Sequence, residues 1–442
     1  MSDVLVLEGP STLGGTIPIA GAKNAALPCM VAALLTPDPV ELEGVPPVQD
    51  VFTLRELLMS LGVDVRVDGS RWTLQAERLT STTVPPDLAR RMRASFLTLG
   101  PLGVRFGSAE VVYPGGCAIG ERPVDLHLAG LEALGFTVDS GGARVRIQAR
   151  RLRGAVFEFA KVTVTGTEHL MMTAAAISGT TVLRNCAREP EVVQLAEFLR
   201  QMGADIEGAG TAQIVVRGSS SLRGTAIRII PDRIEAGTYA VAAVLTRGRV
   251  VLRGARAEHL TTLMECLAGQ GATVQTTTEG IVVDARAVTD FRPLRVVTEP
   301  YPGFPTDLQA QMMTLMTQAP GVSEVVETIF PDRFNHVAEL RRMGAHIELA
   351  KPVARVYGPT PLRGTVVAAS DLRASACLVL AGLIARGTTV ITNVHHLDRG
   401  YVRVEEKLRR VGATICRIER VSGSRSRVPG EGEGTIGNLP LG

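Results

Sequence analysis

The chain has 442 residues, enough for two or three domains with cores of their own, and 45% hydrophobic with 21% charged residues is ordinary globular composition. A net charge of +3 with interleaved acids and bases gives no basic tract for nucleic acid, and 4% aromatics offer few platforms for stacking bases. The first residues carry acids and no basic leader, apolar runs such as 25–35 are too short to span a bilayer, and six scattered cysteines lack a Cys-x-x-Cys spacing, so a cytoplasmic protein with reduced thiols and no membrane contact is expected.

In chain order, a strand over 16–19 runs into the turn Gly21-Ala22-Lys23-Asn24, and an apolar helix over 25–35 follows, with Pro28 in its first turn, where a missing N–H costs little. Further small apolar helices are expected over 94–99, 170–177, 238–245, 308–316 and 374–380, opening after Arg93, Thr167, Gly237, Asp307 and Arg373. Helices this apolar are buried on most sides. Short strands at 181–183, 250–252 and 390–392 lie between them.

A second pattern accompanies these helices: Leu, three residues, Gly, a small residue, then an apolar strand. It occurs at 58–62, 131–135, 199–203, 267–271, 340–344 and 408–412, with successive glycines 68 or 73 residues apart. Each copy reads as an amphipathic helix closed by a glycine in the left-handed conformation. One copy would carry no weight; six at near-constant spacing define six α/β units. Three lie before residue 231 and three after, which predicts two similar domains with a cleft between them. Buried helices with their N-termini at that cleft would present unpaired N–H groups to an anionic ligand.

Several residues could carry chemistry. Lys23 sits near a helix start and could grip a phosphate or carboxylate, or be an ordinary solvated lysine. Cys117 lies in Tyr113-Pro-Gly-Gly-Cys-Ala-Ile-Gly-Glu-Arg122, a glycine-rich loop near a guanidinium, where a thiol can be an acid or nucleophile or merely incidental. Asp307, in Phe304-Pro-Thr-Asp307, precedes an apolar helix; a helix cap is its commoner role, a general base the other. Arg93 and Arg373 open buried helices, against the preference of a helix N-terminus for acids, and so suggest anion contact. Asp398-Arg399 reads locally as a surface ion pair. His395 and His396, expected on a strand, would point to opposite faces, which argues against a metal site. Neither a Gly-x-x-x-x-Gly-Lys-Ser/Thr loop nor a strand-linked Gly-x-Gly-x-x-Gly is present.

With these residues in place, the chain resembles the bacterial UDP-N-acetylglucosamine 1-carboxyvinyltransferase family from about Leu5 to Arg417. The motifs that carry the resemblance are Gly21-Ala-Lys-Asn-Ala-Ala-Leu-Pro28, Met92-Arg-Ala-Ser95, Pro114-Gly-Gly-Cys117, Arg122-Pro-Val-Asp-Leu-His127, Ala187-Arg-Glu-Pro-Glu191, Pro231-Asp-Arg-Ile-Glu235, Phe304-Pro-Thr-Asp-Leu-Gln-Ala-Gln311, Asp371-Leu-Arg-Ala-Ser375 and Asp398-Arg-Gly-Tyr401. The resemblance implies an α/β fold of two domains, each of three βαβαββ units around buried helices. Residues 1–21 join 232–421 in one domain, and 22–231 form the other and bear the Cys117 loop; the stretch 422–442, which the resemblance does not cover, is expected from its Gly, Ser, Arg and Pro content to be a disordered tail.

It also implies transfer of the enolpyruvyl group of phosphoenolpyruvate to the 3′-hydroxyl of UDP-N-acetylglucosamine, the first committed step of peptidoglycan synthesis, with no cofactor and no metal. Lys23 and Asn24 resemble the family's phosphoenolpyruvate-binding pair. Arg122 and Arg399 resemble the guanidiniums that neutralise phosphate and carboxylate, and Arg93 a sugar-nucleotide contact. Arg122, Pro123, Val124, Asp125 and Leu126, with Lys161, Val162, Thr163 and Val164, match uridine and diphosphate contacts, and Ile329 another contact. Cys117 matches the thiol that protonates the methylene carbon, Asp307 the base near the sugar hydroxyl, and Asp371 and Arg373 further active-site positions. Two departures stand out: Val162-Thr-Val-Thr-Gly-Thr-Glu168 varies the family's more frequent Ser-Val-Gly-Ala-Thr and is shifted by one residue, and Gln49 stands where some members have a basic residue. The alternatives are the sister reaction on shikimate 3-phosphate, which lacks the Pro-Gly-Gly-Cys loop, and an idle sugar-nucleotide-binding regulator, which should have lost Cys117, Lys23 or Asp307.

Overall fold

The computed structural model describes residues 3–113 and 124–419. The expectations on Cys117, Arg122, Pro123 and the tail over 422–442 lie outside these residues.

Six small sheets are present among the described residues, five of four strands and one of three. They share one mixed pattern. Gly179–Arg184, for example, pairs antiparallel with Gln213–Gly218 and parallel with Val156–Glu158, and Gly321–Val326 pairs antiparallel with Val353–Gly358 and parallel with Arg295–Val297. In the three-stranded sheet the parallel edge is reduced to a single bridge between Thr83 and Glu110. The start of the chain is woven into its end. Val4–Gly9 lies between Gly387–Thr392 and Thr414–Ile418, antiparallel to both, and Gly14–Pro18 runs parallel to Arg249–Arg253. Conversely, Ala226–Arg228 returns to pair with Val40–Glu43. The two crossings meet at the bridge between Gly21 and Pro231. Buried apolar side chains accordingly form two clusters, one drawn from residues 22–230 and one from 5–17 with 234–415.

The sixfold pattern has a specific geometry. Helices Gln49–Ser60, Asp125–Ala133, Pro190–Gln201, Thr261–Gly269, His336–Arg342 and Val404–Arg410 each end just before a repeat glycine. Gly62, Gly135, Gly203, Gly271, Gly344 and Gly412 all have φ between 88° and 111°. The leucine four residues earlier is fully buried in every copy. In five copies its carbonyl accepts from the N–H of the residue after the glycine, as in Ala345 N–H to Leu340 O at 2.9 Å and Ala204 N–H to Leu199 O at 3.0 Å. That is the long bond of a Schellman cap, and it explains why leucine and glycine recur at this spacing; the residue after the glycine is alanine in four copies, with Val63 in the first and Phe136 in the second.

The caps differ in how closely the next turn packs on them. A Cβ at Gly135 would lie 2.1 Å from the Arg151 carbonyl oxygen, whereas one at Gly203 would meet nothing nearer than 4.0 Å. Gly203→Ala should therefore cost only the left-handed strain, about 1–3 kcal/mol, and Gly135→Ala more. Thermal melts should show the larger loss of Tm for Gly135→Ala; equal losses would refute the clash.

The inner helices run over Lys23–Ala32, Leu99–Phe106, Val164–Ala175, Arg233–Leu245, Gln309–Met316 and Leu372–Ile384. The second and fifth are entered through 3₁₀ turns, Arg93–Thr98 and Thr306–Leu308. Two starts differ from expectation. The helices expected after Thr167 and Gly237 begin at Val164 and Arg233, because Thr163 and Asp232 cap them: Thr163 Oγ1 accepts from Gly166 N–H at 3.2 Å, and Asp232 Oδ1 from Ile234 and Glu235 N–H at 2.8 and 2.9 Å. Polar residues in the first turns hid these starts. Pro28 is interior to its helix rather than in the first turn. The strand expected over 16–19 is Gly14–Pro18, and His395 and His396 open a short helix, His395–Asp398, with ring centroids 4.1 Å apart. No helix among the described residues is long and apolar enough to cross a membrane.

Candidate active site

Four inner helices, and the 3₁₀ turns that lead into the other two, bring their starts to one cavity of about 710 Å³. Lys23 and Asn24, Arg93 and Ala94, Val164 and Thr165, Arg233, Thr306 and Asp307, and Leu372 and Arg373 all line it. Each helix start leaves backbone N–H groups unpaired, so the wall carries partial positive charge in addition to its cationic side chains. Of the predicted site residues, Lys23, Asn24, Arg93, Asp125, Leu126, Lys161, Val162, Thr163, Val164, Asp307, Ile329, Asp371, Arg373 and Arg399 line this cavity. Val124 is buried beside it and is not part of the lining. A second cavity of about 670 Å³ shares Val162 and the 299–303 segment but receives none of these helix starts.

Asp307 is at the centre of the charge arrangement. Its Oδ1 accepts from Arg333 Nη2 at 2.7 Å and from Arg373 Nε at 2.9 Å. The expected helix-cap role is not what the structure shows: no side-chain cap bond closes this helix start, and the carboxylate turns into the cavity. Burial opposes its charge, but the Arg373 and Arg333 guanidiniums outweigh burial and hold the carboxyl well below the usual carboxylate range. Arg373 is itself fixed, because its Nη1 donates to Tyr401 Oη at 3.3 Å and that hydroxyl is bonded to Thr238 Oγ1 at 2.8 Å. Asp371 is the true cap of its helix, accepting from Arg373 and Ala374 N–H at 2.9 and 3.0 Å.

A second centre joins the two cores. Asp50 accepts from Lys23 Nζ at 3.0 Å and from Arg399 Nε at 2.9 Å. Burial again opposes its ionisation, and Lys23 and Arg399 together hold its carboxyl below the usual range. The local pairing expected for Asp398-Arg399 is not formed; Asp398 instead holds Arg417, at 2.6 Å.

The sequence reading missed Asp50, Arg233, Arg333 and Tyr401, together with three carboxyls of the same wall. Glu191 pairs with Arg233 Nε at 2.9 Å, while Glu168 and Glu189 each keep one buried oxygen that finds no hydrogen-bond partner among the described residues. A signal for the two arginines was present: Pro-Asp-Arg occurs at 231–233 and again at 331–333.

Burial, then the neighbouring Glu191 and Glu189, push the Glu168 carboxyl well above its ordinary range. A folded-state pKa raised above the unfolded value means that the native chain binds more protons, so stability falls as pH rises from about 4.3 through the folded pKa. Glu168→Gln removes that penalty and keeps the shape. Melts at pH 8 should show a higher Tm than the parent, with the difference vanishing below about pH 4.3. A Tm at pH 8 equal to or below the parent's would refute it.

Comparison with known proteins follows the same outline. A family described as EPSP synthase (3-phosphoshikimate 1-carboxyvinyltransferase) matches residues 7–408. A UDP-N-acetylglucosamine 1-carboxyvinyltransferase from Agrobacterium fabrum is 49% identical over 428 residues, 94% of this chain and 99% of the relative. One from Solibacter usitatus is 50% identical over 418 residues, 94% of this chain and all of the relative. The solved structure of the enolpyruvyl transferase NikO from Streptomyces tendae covers 95% of the chain with a TM-score of 0.86 at 26% identity. An EPSP synthase from Acinetobacter baumannii, at 18% identity and a TM-score of 0.73, shares the fold.

Proposed function

The chain belongs to the UDP-N-acetylglucosamine 1-carboxyvinyltransferases of the enolpyruvyl transferase family, and from that premise we propose how its cleft divides the work of the reaction. The reaction moves the enolpyruvyl group of phosphoenolpyruvate onto UDP-N-acetylglucosamine, releases phosphate and serves peptidoglycan synthesis. The observation that carries the assignment of roles is the meeting of six helix starts, their cations and one ionised carboxylate in a single cavity.

Phosphoenolpyruvate binds against Lys23, Asn24, Arg122 and Arg399, whose charges answer its phosphate and carboxylate. The sugar nucleotide lies along the wall of Asp125, Leu126 and residues 161–164, with Arg93 and Ile329 as further contacts and with Arg122, Pro123 and Val124 assigned on the strength of their motif alone. Cys117, on the strength of its motif, gives a proton to the methylene carbon. The neighbouring carbon becomes cationic, and the 3′-hydroxyl oxygen of the sugar attacks it while Asp307 takes the hydroxyl proton. The Cys117 thiolate then takes a proton back from the former methylene carbon, phosphate departs with its bridging oxygen, and the double bond is restored. Arg373 holds Asp307, and Asp371 caps the helix that carries Arg373. Residues 1–21 with 232–421 form one domain and 22–231 the other, a division supported by the two cores. The protein works in the cytoplasm, where both anionic substrates are found.

Incubation with phosphoenolpyruvate and UDP-N-acetylglucosamine should release phosphate. Release with shikimate 3-phosphate and none with the sugar nucleotide would transfer the assignment to the sister reaction.

A further inference from the structure

Beside the cleft lies a chain of hydrogen bonds whose proton positions are set by its inner end. Gly100 N–H donates to His169 Nε2 at 3.0 Å, so that nitrogen carries no proton. Neutral His169 must bear its proton on Nδ1, which faces His127 Nδ1 at 3.0 Å. His127 Nδ1 therefore accepts, and the His127 proton sits on Nε2, 3.3 Å from Thr165 Oγ1. Both rings are buried, and Phe96 meets each edge-on, with centroids 5.4 and 6.2 Å away. Burial disfavours the charged form of either ring, and for His127 the neighbouring His169 and Arg93 add to that.

The chain ends on a hydroxyl that behaves unlike its neighbours. Thr167 and Thr173, on the same helix, spend their hydroxyl protons on backbone carbonyls, Thr163 O at 2.8 Å and His169 O at 2.7 Å. Thr165 does not. Its oxygen accepts from His127, and among the described residues no acceptor takes its proton. Thr165 lines the cavity in the first turn of Val164–Ala175, beside the unpaired amides of that helix start and near Lys161. A hydroxyl whose lone pair is engaged from behind and whose proton faces a positive wall suits a ligand atom that only accepts. Phosphate oxygens are such atoms and carry the negative charge that the wall answers; a carbonyl oxygen also only accepts but is neutral, and sugar hydroxyls also donate.

We propose that Thr165 is a specificity-determining donor to a diphosphate oxygen of the sugar nucleotide, and that His127 and His169 are positioning residues that keep its hydroxyl in the donating orientation. The proposal rests on the placement of the diphosphate along 161–164 given above.

The test is steady-state kinetics on the full chain. Thr165→Val should raise KM for UDP-N-acetylglucosamine about 10- to 100-fold, the range for one hydrogen bond to a charged group, with kcat and KM for phosphoenolpyruvate changing far less. His127→Leu should act similarly, because the freed Thr165 hydroxyl can turn to the Lys161 carbonyl. His127→Gln, which can accept with Oε1 and donate with Nε2, should recover most of the loss. The double variant Thr165→Val with His127→Leu should be no worse than the poorer single. Additive losses, or an unchanged KM in Thr165→Val, would overturn the proposal. A merely structural role for His127 would lower Tm and kcat without the selective change in KM and without rescue by Gln. If the parent releases no phosphate with the sugar nucleotide, the functional reading itself fails; if it does and Thr165→Val matches it, this inference alone fails.

Discussion

Asp307→Asn is expected to lower kcat by roughly two to four orders of magnitude, the usual contribution of a positioned general base. The substitution keeps the shape and removes the charge that Arg333 and Arg373 hold at 2.7 and 2.9 Å. Two guanidiniums make Asp307 a weak base, too weak to deprotonate a sugar hydroxyl at rest. In the role proposed for it, Asp307 takes the proton only as the hydroxyl oxygen bonds to the cationic carbon and its own proton becomes acidic. The arginines thus favour a transfer coupled to attack over a free alkoxide.

The same geometry fixes the pH signature. The folded-state pKa of Asp307 lies below its unfolded value, so the carboxylate stays charged, and the stability it contributes persists, until pH falls through that lowered value. Between pH 5 and 9 the ratio of parent to Asp307→Asn kcat should therefore be constant. A ratio that shrinks toward pH 5 would show that Asp307 titrates there, and would refute a base held by two arginines.

What could be read in the sequence, and what could not, divides by range of interaction. The six glycines were legible because a Schellman cap is local: one leucine carbonyl, one left-handed residue and its successor, all within six positions. Lys23, Arg93, Asp307 and Arg373 were legible as residues at helix starts, since a cation or lone acid before a buried helix stands out. The choice between cap and base for Asp307 was not legible, because the deciding partners, Arg333 and Arg373, are 26 and 66 residues away. The starts at Val164 and Arg233 were lost because Glu168-His169 and Glu235 interrupt the apolar run that marks a buried helix. They are tolerated inside because His169 is tied into a hydrogen-bond chain and Glu235 pairs with Lys407. Asp50 stands in the first turn of Gln49–Ser60, where an acid is ordinary, and only the tertiary fold brings Arg399 to it across 349 residues.

That carboxylate yields the second large expectation. Asp50→Ala should destabilise the unliganded chain by about 3 kcal/mol, the lower end for breaking a buried ion pair, which is roughly 6–12 °C in Tm for a domain of this size. The lower end applies because Arg399 keeps 31% of its side chain exposed, so water screens part of the loss, whereas Lys23 at 11% is shielded. Asp50 is an anion that both Lys23 and Arg399 hold, and these are two of the cations assigned above to phosphoenolpyruvate. The substrate therefore competes with, or displaces, an internal carboxylate, and removing that carboxylate should make its binding tighter. Since a ligand stabilises in proportion to RT ln(1 + [L]/Kd), phosphoenolpyruvate should raise the Tm of Asp50→Ala more than that of the parent and restore much of the loss. Asp50→Asn, which fills the same space without charge, should behave in the same way. If phosphoenolpyruvate shifts parent and variants equally, Asp50 acts by packing between the two cores and not as the internal occupant of the anion site.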